Sequence, residues 1–185
     1  MQHDSKLHHS DPITDPELAQ LSPQSATIRP STRTDVPALK SIIDEVGLFP
    51  SEMLDDMMAD YFNNQPGTDH FWLTDDDNGP VGVAYYAPER LTEGTWNLYL
   101  IAIHSDRQEQ GRGAALLRYV EQALREQGER LLLVETSGLP NFEYQRAFYR
   151  KCGYDEEARI RDFYQAGEDK VVFRKALVVS TLSPA

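Results

Sequence analysis

Two glycines separated by one residue stand between a strand-like segment and a helix-like segment, an arrangement that can bind phosphate. The strand-like run covers residues 98–103, and the glycines lie in the hexapeptide 108–113. Leu117, Val120 and Leu124 then recur at helical spacing. A helix N-terminus presents unpaired N–H groups and the positive end of the helix dipole, and glycine lets an anion approach them closely. The pattern therefore predicts an anion site at residues 108–113.

The hexapeptide lacks the third glycine of a dinucleotide-binding loop and the Gly-Lys-Ser/Thr ending of a P-loop. It resembles the Arg/Gln-x-x-Gly-x-Gly/Ala loop of the GNAT superfamily of N-acetyltransferases, which binds the pyrophosphate of acetyl-CoA. The frame 110–115 also fits, but 108–113 keeps the link from strand to loop short. The resemblance implies that acetyl-CoA is the co-substrate and that its binding residues include Gln108, Glu109, Gln110, Gly111, Arg112, Gly113 and Ala114. Glu109 is a departure, because a carboxylate beside a pyrophosphate must point to solvent.

A second segment, residues 147–154, looks like the Phe-Tyr-x-x-x-Gly-Phe/Tyr segment of the same superfamily. The resemblance places the hydroxyl of Tyr149 beside the thioester sulfur, as a general acid for the leaving thiolate. The alternative is a buried tyrosine whose hydroxyl bonds elsewhere. Many family members carry Asn seven residues before this tyrosine, where this chain has Phe142. Asn141, one position away, is the corresponding candidate for cofactor binding.

The implied reaction is direct attack of an amine on the thioester. A lysine-like amine with a pKa of about 10.4 is neutral only to roughly one part in 2,500 at pH 7, so a general base helps. Glu135 is the candidate base, because carboxylates are rare on buried strands unless they have a partner. A structural ion pair is the open alternative, and Glu89 and Glu93 are weaker candidates. The resemblance also implies that the backbones of Ile101 and Ile103 hold the pantetheine arm.

Periodicity and turn residues predict the remaining elements. Thr34 and Ser51 are expected to cap two helices near the start of the chain. The run Asp75–Asp77 reads as a solvated turn rather than a metal site. The predicted order is β-α-α-β-β-β-α-β-α-β-β, which also belongs to the GNAT fold. The resemblance covers residues 27–179 and implies one α/β domain, with a mixed, mostly antiparallel central sheet flanked by helices. The domain is assigned to residues 27–185, and residues 1–26 are expected to form a disordered tail.

Composition narrows the classes of function. The chain has 185 residues and a net charge of −12, which argues against a general nucleic-acid binder. It contains no apolar run long enough to span a membrane and no apolar signal region, so a cytoplasmic protein is expected. Its single cysteine, Cys152, excludes an internal disulfide and a cysteine-based zinc cluster. His3, His8 and His9 in the predicted tail read as bystanders, and no metal is expected.

The sequence therefore predicts an N-acetyltransferase that transfers the acetyl group of acetyl-CoA to a primary amine of a small molecule. Two alternatives stay open. One is a protein or peptide N-acetyltransferase, which needs an open groove, and the other is a non-catalytic acetyl-CoA-binding module. A homodimer is also left open, because no residue pattern addresses it.

Overall fold

The computed structural model describes residues 27–63 and 71–177. The predicted tail and its three histidines lie outside the described residues. The strands are β1 (Thr27–Pro30), β2 (Phe71–Asp76), β3 (Pro80–Pro88), β4 (Thr95–Ile103), β5 (Leu131–Ser137), β6 (Asp155–Gln165) and β7 (Glu168–Ala176). The helices are α1 (Val36–Val46), α2 (Met53–Phe62), α3 (Arg112–Glu126) and α4 (Glu143–Lys151). The predicted order of strands and α-helices is confirmed.

The sheet has the strand order β1-β2-β3-β4-β5-β7-β6. Only β4 and β5 run parallel, and they pair over Thr95–Leu98 and Leu131–Val134 alone. Beyond this register the two strands separate, while β5 stays bonded to β7 as far as Ser137. A gap therefore opens between the C-terminal halves of β4 and β5, and both of its walls are held by neighbouring strands.

Helices cover both faces of the sheet and create two apolar cores. The apolar stripe predicted for α3 packs against β4, β5 and β7, with Leu116, Leu117, Val120, Leu124, Leu132, Val134 and Phe173 buried. On the opposite face α1 and α2 pack against β2, β3 and β4, with Leu39, Ile42, Ile43, Leu54, Met58, Trp72 and Val83 buried. Burial of one such side chain contributes about 1.5–3 kcal/mol. These two cores fix the sheet on which the gap depends.

Both predicted helix caps are wrong in detail. Asp35, rather than Thr34, occupies the N-cap position of α1, and Glu52, rather than Ser51, precedes α2. The hydroxyl of Ser51 donates to Asp44 Oδ2 over 2.8 Å instead. The hydroxyl of Thr34 is hydrogen-bonded to that of Thr32 over 2.8 Å, so both side chains prefer a partner other than the helix N-terminus.

Candidate active site

The gap between β4 and β5 forms a cleft of about 1340 Å³ that reaches the N-terminus of α3 and one side of α4. The cleft brings together most of the candidate residues from the sequence. Those that line it are Ile101, Ile103, Gln108, Glu109, Gly111, Arg112, Gly113, Ala114, Glu135 and Tyr149. Gln110 and Asn141 do not line it, and both are exposed. Phe142, the neighbour of Asn141, does line the cleft, so the position of Asn141 does not support a role in cofactor binding.

The N-terminus of α3 faces the cleft without a capping side chain from the described part of the chain. Gly111 is the N-cap and has a φ of 78°, a left-handed conformation that glycine adopts without strain. The N–H groups of Arg112, Gly113 and Ala114 belong to the first helical turn and have no partner within the helix. These N–H groups and the helix dipole suit an anion.

Gly113 has a second reason to be glycine. A Cβ atom at this position would lie 3.3 Å from Cζ of Phe148, a cleft residue on α4. Such a contact is tight, so the missing side chain lets α3 and α4 approach each other closely. A bulky residue at position 113 would therefore disturb the helix packing as well as an anion.

The two loop glutamines serve the loop itself. Gln108 donates through Nε2 to the carbonyl oxygen of Ile103 over 3.0 Å, and Gln110 donates to the carbonyl oxygen of Asp106 over 3.3 Å. Glu109 is exposed and has a φ of 59°, which is unusual for a residue other than glycine. The side chain of Gln108 therefore ties the loop to the end of β4.

The guanidinium of Arg112 is bonded to two carboxylates, that of Asp75 near the end of β2 and that of Asp77 in the turn between β2 and β3. Its Nη1 donates to Asp75 Oδ1 and Oδ2 over 3.2 and 3.1 Å, and its Nη2 donates to Asp77 Oδ2. Arg107 donates to the same Asp77 oxygen over 3.1 Å. Asp75 is only 1% exposed, so the prediction of a solvated turn is wrong for this residue. Arg112 thus offers a backbone N–H to an anion, while its side-chain charge is balanced within the protein.

The edge of β4 that faces the gap can bind an extended chain. The backbone N–H of His104 donates to the carbonyl oxygen of Val81, so the backbone groups of His104 and Ala102 point to β3. Because strand backbone groups alternate, those of Ile101 and Ile103 point to the gap. The carbonyl oxygen of Ile103 is engaged by Gln108, and the other groups at this edge are available for strand-like hydrogen bonds.

Tyr149 lies on α4 with its ring packed among aromatic side chains. The ring centroids of Phe148, Phe173 and Tyr154 lie 5.3, 5.5 and 6.1 Å away, and Tyr149 is 6% exposed. Its hydroxyl has no hydrogen-bond partner within the described ranges, although the residue lines the cleft. Burial raises its pKa well above the ordinary value of 10. The hydroxyl therefore keeps its proton at neutral pH, as a proton donor requires.

A buried charged cluster holds α4 in place. Lys175 on β7 donates to Glu121 Oε1 on α3 and to the carbonyl oxygen of Cys152, each over 2.9 Å. The hydroxyl of Tyr154 also donates to Glu121 Oε1, over 3.1 Å. The cluster thus fixes the C-terminal end of the helix that carries Tyr149.

Burial raises the pKa of the Cys152 thiol, which disfavours a nucleophilic thiolate.

Glu135 lies on the β5 wall of the cleft and is paired. Lys170 on β7 places its Nζ 3.1 Å from Glu135 Oε1 and 3.9 Å from the centroid of the Phe163 ring. Glu135 therefore has an ion-pair partner within the protein, and it also lines the cleft. Glu89 lies near the opposite wall, where it accepts a hydrogen bond from Tyr99, and Glu93 is exposed. Tyr99 was missed by the sequence reasoning, because an isolated tyrosine in an apolar strand carries no motif.

Neither a metal site nor a membrane-spanning helix is found in the described residues. No group of three His, Cys, Asp or Glu side chains in residues 27–63 and 71–177 is arranged to hold a metal ion. No helix in those residues is long and apolar enough to cross a membrane.

Comparison with known proteins identifies the fold. Residues 67–156 match the family model of the acetyltransferase (GNAT) domain. A GNAT-family acetyltransferase from Desulfovibrio desulfuricans is 30% identical and has a TM-score of 0.78, over 83% of this chain and 100% of that one. The ribosomal-protein-S18-alanine N-acetyltransferase of Escherichia coli is 22% identical, with a TM-score of 0.68 over 87% of this chain and 99% of that one.

An aminoglycoside 6'-N-acetyltransferase solved with coenzyme A is 18% identical, with a TM-score of 0.64 over 83% of this chain and 98% of that one. No curated protein sequence matches the chain. The Escherichia coli enzyme and the aminoglycoside acetyltransferase share the fold of this chain. Their different acceptors leave the acceptor of this chain undecided.

Proposed function

This chain belongs to the GNAT superfamily of acetyl-CoA-dependent N-acetyltransferases, and we propose that its acetyl acceptor is a primary amine of a small molecule. One observation carries the proposal. A single cleft is lined by the gap-facing edge of β4, by the N-terminus of α3 and by the hydroxyl of Tyr149, and neither of the last two is bonded to a side chain of residues 27–63 and 71–177. These are the groups that acetyl transfer needs for an extended arm, a phosphate and a leaving thiolate.

The residues of the cleft fit coenzyme A at each of its parts. We assign the pyrophosphate to the backbone N–H groups of residues 111–114, with Gln108 ordering the loop. The backbones of Ile101 and Ile103 are assigned to the pantetheine arm. Arg118 and Lys151 also line the cleft, and neither forms an ion pair with a carboxylate of the described residues. Two cations and a helix N-terminus on one cleft suit a ligand with several phosphates.

Tyr149 and Glu135 are assigned to proton transfer. Acetyl-CoA supplies the thioester as the electrophile. Glu135 takes the proton that the attacking amine loses, directly or through a water molecule, and Tyr149 donates its hydroxyl proton to the departing sulfur. Each positioned acid or base contributes typically 10²–10⁴-fold. The ion pair with Lys170 holds the Glu135 carboxylate on the cleft wall.

The size of the cleft favours a small acceptor. Its volume of about 1340 Å³ exceeds the roughly 300–1,000 Å³ of a typical ligand pocket, which leaves room for a small acceptor beside the coenzyme. A protein or peptide acceptor is the second candidate, because other GNAT-fold enzymes act on proteins.

An acceptor screen tests the proposal. Thiol release from acetyl-CoA is measured with alkylamines, diamines, amino acids, an aminoglycoside and peptides with free N-termini. We expect turnover with a small amine. Turnover with peptides alone would replace the small molecule by a protein acceptor. Binding of coenzyme A without thiol release from any of them would support a non-catalytic module.

A further inference from the structure

Tyr99 lines the cleft and is hydrogen-bonded to Glu89, which lies behind it and does not itself line the cleft, and the transfer chemistry uses neither residue. The hydroxyl of Tyr99 donates to Glu89 Oε1 over 2.8 Å. We propose that Tyr99 and Glu89 recognise a second ammonium group of the acceptor, so that the acceptor is a diamine or a polyamine. This inference rests on the proposed function, because it specifies the substrate of the same cleft.

Tyr99 is presented to the cleft by an irregularity in the sheet. Tyr85 pairs with Leu100 and Tyr86 pairs with Leu98, so Tyr99 is an extra, bulged residue of β4. Its ring stacks on Tyr85 at 5.6 Å, and Tyr85 stacks on the buried Trp72 at 4.4 Å. Tyr99 is nevertheless 52% exposed and lines the cleft. A rigidly backed aromatic ring with one open side suits contact with an ammonium group.

Glu89 supplies a negative charge that no cation within residues 27–63 and 71–177 balances by an ion pair. Its Oε1 accepts hydrogen bonds from Tyr99 and, over 2.9 Å, from Nδ2 of Asn97, which are both neutral donors. No Lys, Arg or His among residues 27–63 and 71–177 lies within ion-pair distance of Glu89. Glu135, in contrast, is already paired with Lys170. The free negative charge of this cluster therefore lies behind the Tyr99 hydroxyl.

A second observation points to a missing hydrogen-bond donor in this cluster. Asn97 is 1% exposed, and its Oδ1 has no hydrogen-bond partner among the described residues. Reversing the amide would place oxygen against Glu89, so the hydrogen bond to Glu89 fixes its orientation. A buried acceptor without a donor is costly, and because Asn97 does not line the cleft, its oxygen adds negative potential behind Tyr99 rather than a direct contact for the acceptor.

The chemistry of the reaction explains why the second ammonium matters. The attacking nitrogen must lose its proton, so a permanent negative charge cannot stabilise it as an ammonium throughout the reaction. A second amine keeps its proton and can remain bound to Tyr99 and Glu89. Tyr99 stays protonated as well, since burial and the hydrogen bond to Glu89 raise its pKa to about 12. The pair therefore selects for a charge away from the reacting centre.

Matched amines test this inference. Initial rates are measured for linear diaminoalkanes of three, four and five carbons, and for the monoamines of the same lengths, which lack only the second ammonium. We expect at least one diamine to exceed its monoamine in kcat/KM by about tenfold, which corresponds to about 1.4 kcal/mol. Glu89→Gln should reduce this ratio to about two or less and leave the KM for acetyl-CoA unchanged. Tyr99→Phe should reduce it in the same direction.

Glu157→Gln is the matched control, because it removes one carboxylate at an exposed position of β6 and should keep the wild-type ratio. A wild-type enzyme that does not prefer any diamine, or a preference that survives Glu89→Gln, overturns the inference. If no linear amine is acetylated, binding is measured instead, by calorimetric titration of the diamines into the complex of the protein with coenzyme A. Binding lost in Glu89→Gln but kept in Glu157→Gln supports the inference, and absence of binding overturns it. Failure of the proposed function is distinct, since it appears as no thiol release with any acceptor.

Discussion

Replacing Asp77 by Asn tests whether the turn between β2 and β3 supports coenzyme A binding from outside the cleft. Asp77 accepts hydrogen bonds from Arg112, the first residue of α3, and from Arg107 just before the loop. Its carboxylate therefore joins the two ends of the proposed pyrophosphate loop. Asparagine keeps the shape and one acceptor oxygen but removes the charge that strengthens both bonds.

Two effects of this substitution have opposite signs. A hydrogen bond to a charged group is worth about 1.5–3 kcal/mol, and an amide recovers part of it, so the ordered loop should lose about 1–2 kcal/mol. That loss weakens coenzyme A binding by about 5- to 30-fold. Two unit charges about 10 Å apart interact by only about 0.4 kcal/mol in water, so removal of the negative charge itself should favour binding by no more than about twofold at such a separation. The loss of loop order should therefore dominate, and Kd should rise.

Asp76→Asn separates the two effects. Asp76 is the neighbouring residue, but its Oδ2 accepts from Nη2 of Arg29 on β1 over 2.6 Å and its Oδ1 accepts from the N–H of Gly79. The substitution removes the same charge from the same turn and leaves the loop bonds intact. Calorimetric titration with coenzyme A at low salt, with thermal melting to establish folding, should give a raised Kd for Asp77→Asn alone.

An Asp77→Asn protein that binds coenzyme A as tightly as Asp76→Asn would show that the loop needs no support from the turn. Tighter binding would show that the released Arg112 reaches the phosphates, and the turn would then restrain binding. Either result would refute the reasoning.

Four further predictions concern catalysis, the loop, the N-terminal segment and acid stability. Tyr149→Phe should lower kcat by about 10²–10⁴-fold with little change in coenzyme A affinity; a destabilised but fully active protein would exclude Tyr149 as the acid. Gly111→Ala should lower the free energy of unfolding by about 1–2 kcal/mol in urea titrations, because a left-handed conformation penalises a Cβ even where, as here, space is open. A chain that starts at Thr27 should melt within about 2 °C of the full chain, whereas a drop of about 10 °C would show that residues 1–26 dock on the domain. The hydrogen bond from Arg29 holds the pKa of Asp35 at about 2, below its value in the unfolded chain. Ionised Asp35 therefore adds about 2 kcal/mol to the free energy of unfolding above about pH 4, and this stabilisation is lost as the pH falls through 2. Urea unfolding between pH 5 and 2 should therefore be less pH-dependent in Asp35→Asn than in wild type.

The local features of this protein could be predicted from the sequence because each is encoded in neighbouring residues. A strand, a glycine pair and an amphipathic helix follow one another within residues 98–124, and no distant contact is needed to specify that they form. The order of strands and helices depends on the same periodicities. The chain positions of Tyr149 and Glu135 followed from motifs and strand ends, and the cleft does bring them together.

The partners of Arg112 and Glu135 were decided by the tertiary structure alone. Arg112 and Asp75 are 37 residues apart, and they meet because the end of β2 lies beside the start of α3. Lys170 reaches Glu135 because β7 enters the sheet between β5 and β6, out of chain order. The bulge that exposes Tyr99 depends on how β3 and β4 align. Periodicity specifies the conformation of each segment, but the choice of neighbouring strands and their register depends on the packing of the whole sheet. That packing determines which charges are neutralised and which, like that of Glu89, have no ion-pair partner in the part of the chain that the structure describes.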